Sequence, residues 1–306
     1  MQVHTYRPAA AQSAQARRRR LIGLALLAPA TAMLAGVLFF PLAMAIASSF
    51  FEIDILNVAS RSFVGLDNYI SILGADWFRH SLLVTVVYTV TTVAGSYLLG
   101  LAFALALRRR FRGRAVARTL TMLPWAVPHV AAVLVWAWMM DPNFGVLNYL
   151  LVRSGLLAEP VGWLQSPIGA MAAVSLVTIW STFPFACLML LAQLETIPDT
   201  LYEAASVDGT SPWKRFVHVT LPSLRYINVV LFLLLGLTAF TRTITIIYVM
   251  TAGGPSNATS ILPIETYLRA FKYLDLGTAS ALGTIVLLLS IVLSGAYLMF
   301  VARRAS

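Results

Sequence analysis

Six runs of apolar residues reach the length that a helix needs to cross a hydrocarbon core, about 20 residues. They lie at Leu21–Phe50, Ser81–Leu107, Thr119–Met140, Gly169–Leu194, Ile227–Met250 and Ala279–Ala302, and together fill half of the 306 residues. Lipid offers no partner to a backbone N–H or C=O, so such runs must close their hydrogen bonds internally as helices. The short alternating segments of a β-barrel are absent. Composition agrees: 11% of the residues are charged, where a soluble domain carries about 25%. A chain this poor in polar surface is excluded from most soluble enzymes and from disordered tails. The expected fold class is all-α, a polytopic membrane protein with six transmembrane helices. The lone Cys187 leaves no internal disulfide framework and no cysteine-rich metal site.

Charge gives an orientation. Arg17–Arg20 followed by an apolar run resembles a secretory signal, but the run continues through Pro41 to Phe50, well past a signal core, and reads as an uncleaved first helix. Of the 22 basic residues, sixteen fall in the N-terminal tail 1–20, the stretch Arg108–Arg118, the stretch Lys214–Arg225 and the tail 303–306. Five (Arg61, Arg79, Arg153, Arg269 and Lys272) fall in the intervening loops, and Arg242 lies inside the fifth run. The positive-inside rule then places both termini in the cytoplasm. The net charge of +10 is accounted for by orientation, with no need of nucleic acid. Loop 51–80, with five aromatic and four acidic residues, has room for a short helix lying on the membrane.

The fourth connection, Glu195–Asn228, is the most organised polar stretch in the chain. Pro198-Asp199 predicts a helix start there, with the carboxylate near the positive end of the helix dipole. Gly209 permits a positive φ, and Ser211-Pro212 starts a second short helix before Leu221-Pro222 leads back into the membrane. Read from residues alone, this pair is either an ordinary capped loop or a rigid plug for a partner.

The spacing Glu203-Ala204-Ala205, three residues, Gly209, nine residues, then Val219-Thr220-Leu221-Pro222 resembles the EAA loop of permease subunits of bacterial ABC importers, with Val219 in place of the usual Ile. Thr251-Ala252-Gly253-Gly254-Pro255, with Tyr267, Ala270-Phe271 and Leu276-Gly277 beyond it, is similar to the run after the fifth span in sugar-importer permeases of the maltose and glycerol-phosphate type. The resemblance spans nearly the whole chain. It implies the type I ABC importer permease fold, with a permease domain over 21–302, a cytoplasmic coupling loop at 195–226, and tails at 1–20 and 303–306. It further implies that Glu203, Ala204, Ala205, Asp208, Gly209, Leu221 and Pro222 engage a cytoplasmic ATPase. The implied partners are two copies of that ATPase, a second permease chain and an extracytoplasmic sugar-binding protein, in the cell inner membrane. ATP and Mg belong to the ATPase; this chain holds no catalytic residue, no cofactor and no phosphate-binding Gly-Lys-Ser/Thr loop.

Where a solute passes is less marked. Arg242 is a charge inside a span, and its reading as a path residue stands beside snorkelling or a salt bridge to a companion chain. Relatives often carry Phe-Asp where this chain has Ile244-Thr245. Trp180, Phe183 and Tyr248 are candidates for stacking on a sugar ring, and equally for packing or anchoring in lipid. Pro184 interrupts the hydrogen-bond ladder of the fourth span, as Pro124 and Pro128 do in the third. None of the six runs contains an Asp or Glu, which weighs against a proton-coupled carrier. The expected solute is a disaccharide or other oligosaccharide, with glycerol phosphate or a polyol as competitors; a non-transporting structural subunit is the alternative from another class.

Overall fold

The computed structural model describes residues 22–23, 25–54, 61–241 and 243–305. The tail 1–20, Leu21 and Arg242 lie outside the described residues. The first span is helix α1, Ala25–Ser48. Pro41 cannot donate a backbone hydrogen bond, and the helix widens to a π turn over Ala35–Phe39 immediately before it. A two-residue antiparallel ribbon, β1 Phe51–Glu52 with β2 Ser62–Phe63, follows. Loop 51–80 then supplies α2, Asp67–Gly74, and the first turn of α3, Asp76–Arg108. The loop does contain a short helix, which covers the bundle with Ile72 buried against it, and the second span begins five residues before its apolar run.

The third apolar run does not form one straight span. It is divided into α4, Arg114–Ala126, and α5, His129–Met139, bent by 93° at the break. Pro128 is the cause: it denies the helix a donor and pushes Val127 to an extended conformation, φ −72° and ψ 134°. Next come α6, Val146–Arg153, and α7, Pro167–Glu195, which opens with Ser166 capping the amide of Gly169 at 3.1 Å and Pro167 at its first turn. Two short helices, α8 Asp199–Val207 and α9 Pro212–Arg215, occupy the fourth connection. The fifth span is α10, Arg225–Thr241, with α11, Thr243–Met250; α12, Leu262–Phe271, lies outside it, and α13, Leu276–Ala305, is the last span. Among the described residues, five helices are long and apolar enough to cross a membrane, six with the bent pair counted as one.

The bundle is organised around α3 and α7, which pack along each other, with α4 and α10 against them at the end carrying the arginines. The contact is close because Gly100 faces Ala186: a Cβ on Gly100 would lie 2.7 Å from the Ala186 Cβ and 2.9 Å from the Cys187 amide. Lipid tails are as apolar as leucine, so close backbone approach supplies the packing energy that water would otherwise drive.

Two apolar cores sit on this pair. At the arginine end, Leu101, Ala104 and Leu107 of α3 meet Ala186, Leu190, Leu191 and Leu194 of α7 and Leu231 and Leu235 of α10. At the far end, Val84 and Tyr88 meet Ala173, Val174 and Val177, Val133 of α5, and Ile246 and Ile247 of α11. Between the two lies a layer of hydroxyls around a narrow void lined by Thr92, Ser96, Thr178, Thr182 and Thr238. Most of these hydroxyls bond a carbonyl of their own helix, such as Thr92 to Tyr88 at 2.8 Å and Thr178 to Val174 at 2.8 Å. The phenol of Tyr88 crosses to Thr178 at 2.5 Å.

The far end is tied by polar contacts. Asn148 is buried, donates to the carbonyls of Asp141 and Val161, and accepts from the Val161 amide and the Trp163 indole. On α12, the buried Glu265 pairs with Arg269 at 3.0 Å, and that guanidinium lies 3.6 Å from the centre of the Trp77 ring on α3. Because Gly100 has no room for a methyl group, Gly100→Leu should force α3 and α7 apart. We expect a loss of about 1–3 kcal/mol of stability, measured as a lower unfolding midpoint in detergent, with a smaller loss for Gly100→Ala.

Candidate coupling site

The fourth connection folds as the sequence predicts and stands on a fixed base. Pro198 caps α8, and Asp199 lies in its first turn. The helix ends at Val207, and Gly209 takes φ +71° so that the Gly209 amide meets the carbonyl of Ser206 at 3.1 Å. Among the described residues, none beyond its chain neighbours lies within 4 Å of a Cβ built at Gly209, so the glycine serves the reversed backbone. Thr210 then bonds the Ala205 carbonyl through both its amide and its hydroxyl. Ser211 caps α9 by accepting from the Lys214 amide at 3.4 Å. Leu221-Pro222 leads directly into α10.

The two faces of α8 differ. Tyr202 and Ala205 turn inward: the Tyr202 phenol meets Thr220 at 2.9 Å, and its ring joins Phe216 and Val219 on the arginine-end core. Leu201, Glu203, Ala204, Val207 and Asp208 are exposed, Val207 at 87%. Beside them Trp213, 71% exposed, stacks on Phe216 with ring centres 5.6 Å apart. Leu221 and Pro222 are also exposed. The small Ala204 lies between Leu201 and Val207, which leaves a shallow apolar strip flanked by two carboxylates.

Half of the arginine-rich stretch proves to be part of this base. Arg108 donates to the Ile197 carbonyl and the Asp199 carboxylate, both at 3.4 Å, with its guanidinium 4.3 Å from the Tyr202 ring centre. Arg114 and Arg118, one turn apart on α4, converge on the same oxygen of Glu195 at 2.5 and 2.6 Å. Arg114 also donates to the Leu107 carbonyl at the end of α3. Arg109, Arg110 and Arg112 are exposed. The charge count in the sequence read all six as orientation signals; the i,i+4 spacing of Arg114 and Arg118 was the one local sign of a shared partner.

The residues singled out for a solute path are not gathered in one place. Phe183 is buried, with Phe103 5.1 Å away. Trp180 is half-buried and forms an edge contact with Trp136 at 5.6 Å, and Tyr248 meets Tyr267 of α12 edge-on at 4.8 Å. A half-open, mostly apolar cavity at the level of the hydroxyl layer has other walls: Trp125, Thr182, Phe185, Leu234 and Thr238 line about 140 Å³ between α4, α7 and α10. Sequence reasoning passed over these threonines because a threonine inside an apolar run normally satisfies itself on its own helix.

Residues 96–306 match the family model of the binding-protein-dependent transport system inner membrane component. The chain belongs to this family. It is a multi-pass inner membrane permease, a transport component and not itself an enzyme, and the resemblance drawn from the EAA loop and the Gly-Gly-Pro run holds. The permease is 36% identical over 93% of its length to the sulfoquinovosyl glycerol transport system permease protein SmoG of Agrobacterium fabrum, covering 92% of that protein. It is 40% identical over 78% of its length to the trehalose/maltose transport system permease protein MalF of Thermococcus litoralis, covering 80% of it. The sn-glycerol-3-phosphate permease protein UgpA of Agrobacterium fabrum is 32% identical over 93% of this chain and 96% of its own. In fold, it superposes with a TM-score of 0.82 at 18% identity on a chain of a bacterial ABC transporter that imports the acidic polysaccharide alginate, covering 95% of this permease and 99% of that chain.

Since Arg108 holds the start of α8 from three sides, Arg108→Ala in the permease should loosen that helix alone. Amide exchange over Asp199–Val207 is expected to rise roughly three- to tenfold, while exchange in α7 is unchanged, as read by hydrogen–deuterium exchange in detergent.

Proposed function

We propose that this permease forms half of the translocation pathway of an ATP-driven sugar importer and is coupled to a cytoplasmic ATPase subunit through α8. The observation that carries this is the shape of the fourth connection. A helix with an exposed small-residue strip, ended by a glycine in the left-handed conformation, is held by Tyr202, Phe216 and Val219 on the arginine-end core. Glu203, Ala204, Asp208 and Gly209 meet the ATPase, the inward Ala205 backs them on the same helix, and Leu221-Pro222 carries the movement into the fifth span. ATP and Mg are bound by two copies of that ATPase, so this chain needs no reactive group of its own. The remaining partners are a second permease chain and an extracytoplasmic binding protein. A neighbour with a TM-score of 0.75 is an alginate transporter solved with its pentasaccharide-bound periplasmic protein. In this reading the tails 1–20 and 303–306 and the loop 195–226 lie in the cytoplasm, as the arginine count requires.

The solute is a neutral sugar, a disaccharide or larger. The cavity among Trp125, Thr182, Phe185 and Thr238 offers an aromatic ring and hydroxyls, with no charge on its lining, a combination that suits one face of a sugar ring; at about 140 Å³ it is a station on the path and does not hold a whole disaccharide. Trp180 and Tyr248, and Arg242 by its sequence position alone, are assigned to other stretches of the path, and the buried Phe183 is assigned to packing. Glycerol phosphate or another polyol is the competing reading, since relatives include a permease for sn-glycerol-3-phosphate.

The test is reconstitution of the complete importer in vesicles, with maltose, trehalose, sn-glycerol-3-phosphate and a polyol each presented with the binding protein. A disaccharide should stimulate ATP hydrolysis and enter the vesicles; stimulation by glycerol phosphate or the polyol alone would move the assignment to that class. Failure of any ATPase subunit to co-purify would leave the structural-subunit reading. Gly209→Trp is expected to abolish ATP-driven uptake while the chain stays in the membrane. Normal uptake by that variant at normal expression would sink the coupling assignment. Thr238→Val, which removes a hydroxyl from the cavity wall without removing volume, should raise the KM for the sugar by about threefold to tenfold with little change in expression.

A further inference from the structure

The positive-inside rule asks only for basic charge on one side of the membrane; it does not ask two guanidiniums to meet one oxygen. Yet Arg114 and Arg118 both reach the same Oε1 of Glu195, at 2.5 and 2.6 Å, and Arg114 turns its Nε to the Leu107 carbonyl. Three helix ends are joined in this way: the C-terminus of α3, the N-terminal half of α4 and the last residue of α7. Glu195 stands four residues before the start of α8, whose own first turn is held by Arg108.

The apolar contacts divide α4 from α5 in the same sense. Ala117 and Met122 of α4 pack on the arginine-end core together with Tyr202, Phe216 and Val219 of the coupling loop. Val133 and Trp136 of α5 belong to the far-end core instead. Between them lies the 93° bend at Val127-Pro128, where the missing proline donor lowers the resistance to bending.

We propose that Glu195, Arg114 and Arg118 are positioning residues for transport: they fasten α4 to the last turn of α7, four residues before α8, so that movement of the coupling helix reaches the third span and is taken up at Val127-Pro128. An exposed ion pair contributes little by itself, but two planar guanidiniums on one carboxylate fix an orientation that a single lysine contact would not. Trp125, at the bend end of α4, lines the cavity assigned to the sugar. The clamp therefore gives the coupling helix a second route to the path, beside the direct one through α10. This inference rests on the coupling reading above.

The experiment measures distances in the assembled importer, ATPase subunits bound, without nucleotide and then trapped with ATP and vanadate. Spin labels go on V116C with T200C, joining α4 to α8, and on V116C with L134C, across the bend; all three positions are exposed, and the buried Cys187 stays unlabelled. We expect the first distance to change by less than about 2 Å and the second by more than about 4 Å. In Glu195→Gln the ATPase should still co-purify, while the first distance broadens and the change across the bend is lost. If Glu195→Gln fails to reach the membrane, Arg118→Gln, which leaves Arg114 on the carboxylate, makes the same comparison. Equal changes in both pairs, or wild-type distances in the variant, would overturn the clamp and leave ATPase coupling intact. No change in either pair with ATPase bound would overturn the coupling reading and the clamp with it.

Discussion

At Gly100 the backbone of α3 comes so close to α7 that a single methyl group would collide with Ala186 and the Cys187 amide. In a bilayer the side chains of two helices gain nothing by hiding from lipid, so the association must come from contact itself, and contact grows as backbones approach. The rest of the bundle is built on that pair. α4 and α10 lean on its arginine end, α5 and α11 on its far end, while α1 touches mainly α13 and keeps large apolar side chains facing outward.

Because both cores share α3 and α7, what separates them matters. The layer of Thr92, Ser96, Thr178, Thr182 and Thr238 carries little apolar area, and most of its hydroxyls are satisfied within their own helices. Among the described residues, the one hydrogen bond that ties its threonines to another helix is Tyr88 to Thr178. The arginine-end half includes Tyr202, Phe216 and Val219, so α8 is an outgrowth of a packed core.

Much of this was legible in the residues. The six apolar runs gave the class, and Pro198, Gly209 and Ser211-Pro212 gave the starts of the two short helices, because capping and left-handed turns are local chemistry; the second, expected through Trp213–Val219, is α-helical over Pro212–Arg215 and continues as a π turn over Phe216–Thr220. The third run was legible only as a break. Pro128 marks where the helix must stop, but the angle is set by α5 packing on α11 while α4 packs on α7, and both partners are distant in sequence. Glu265 and Arg269 gave no signal as a buried pair, since their burial depends on Trp77, almost 200 residues earlier in the chain. Asn148 looked like a loop residue for the same reason; its two acceptors and its donors lie on both sides of a turn that exists only once α6 has folded.

The sequence by itself determined that this chain crosses a membrane as helices, which end carries the positive charge, and that a stretch with the spacing of an EAA loop sits at that end. Those follow from length, hydropathy and spacing, which are properties of consecutive residues. The tertiary structure alone decided which arginines face solvent and which meet Glu195 and Asp199, which threonines line a cavity, and that the aromatic residues of the spans are scattered over separate contacts. A side chain's partner depends on helix rotation and tilt. In lipid these are set by the shape of the surfaces that touch, as at Gly100, and no hydrophobic gradient marks them in the sequence.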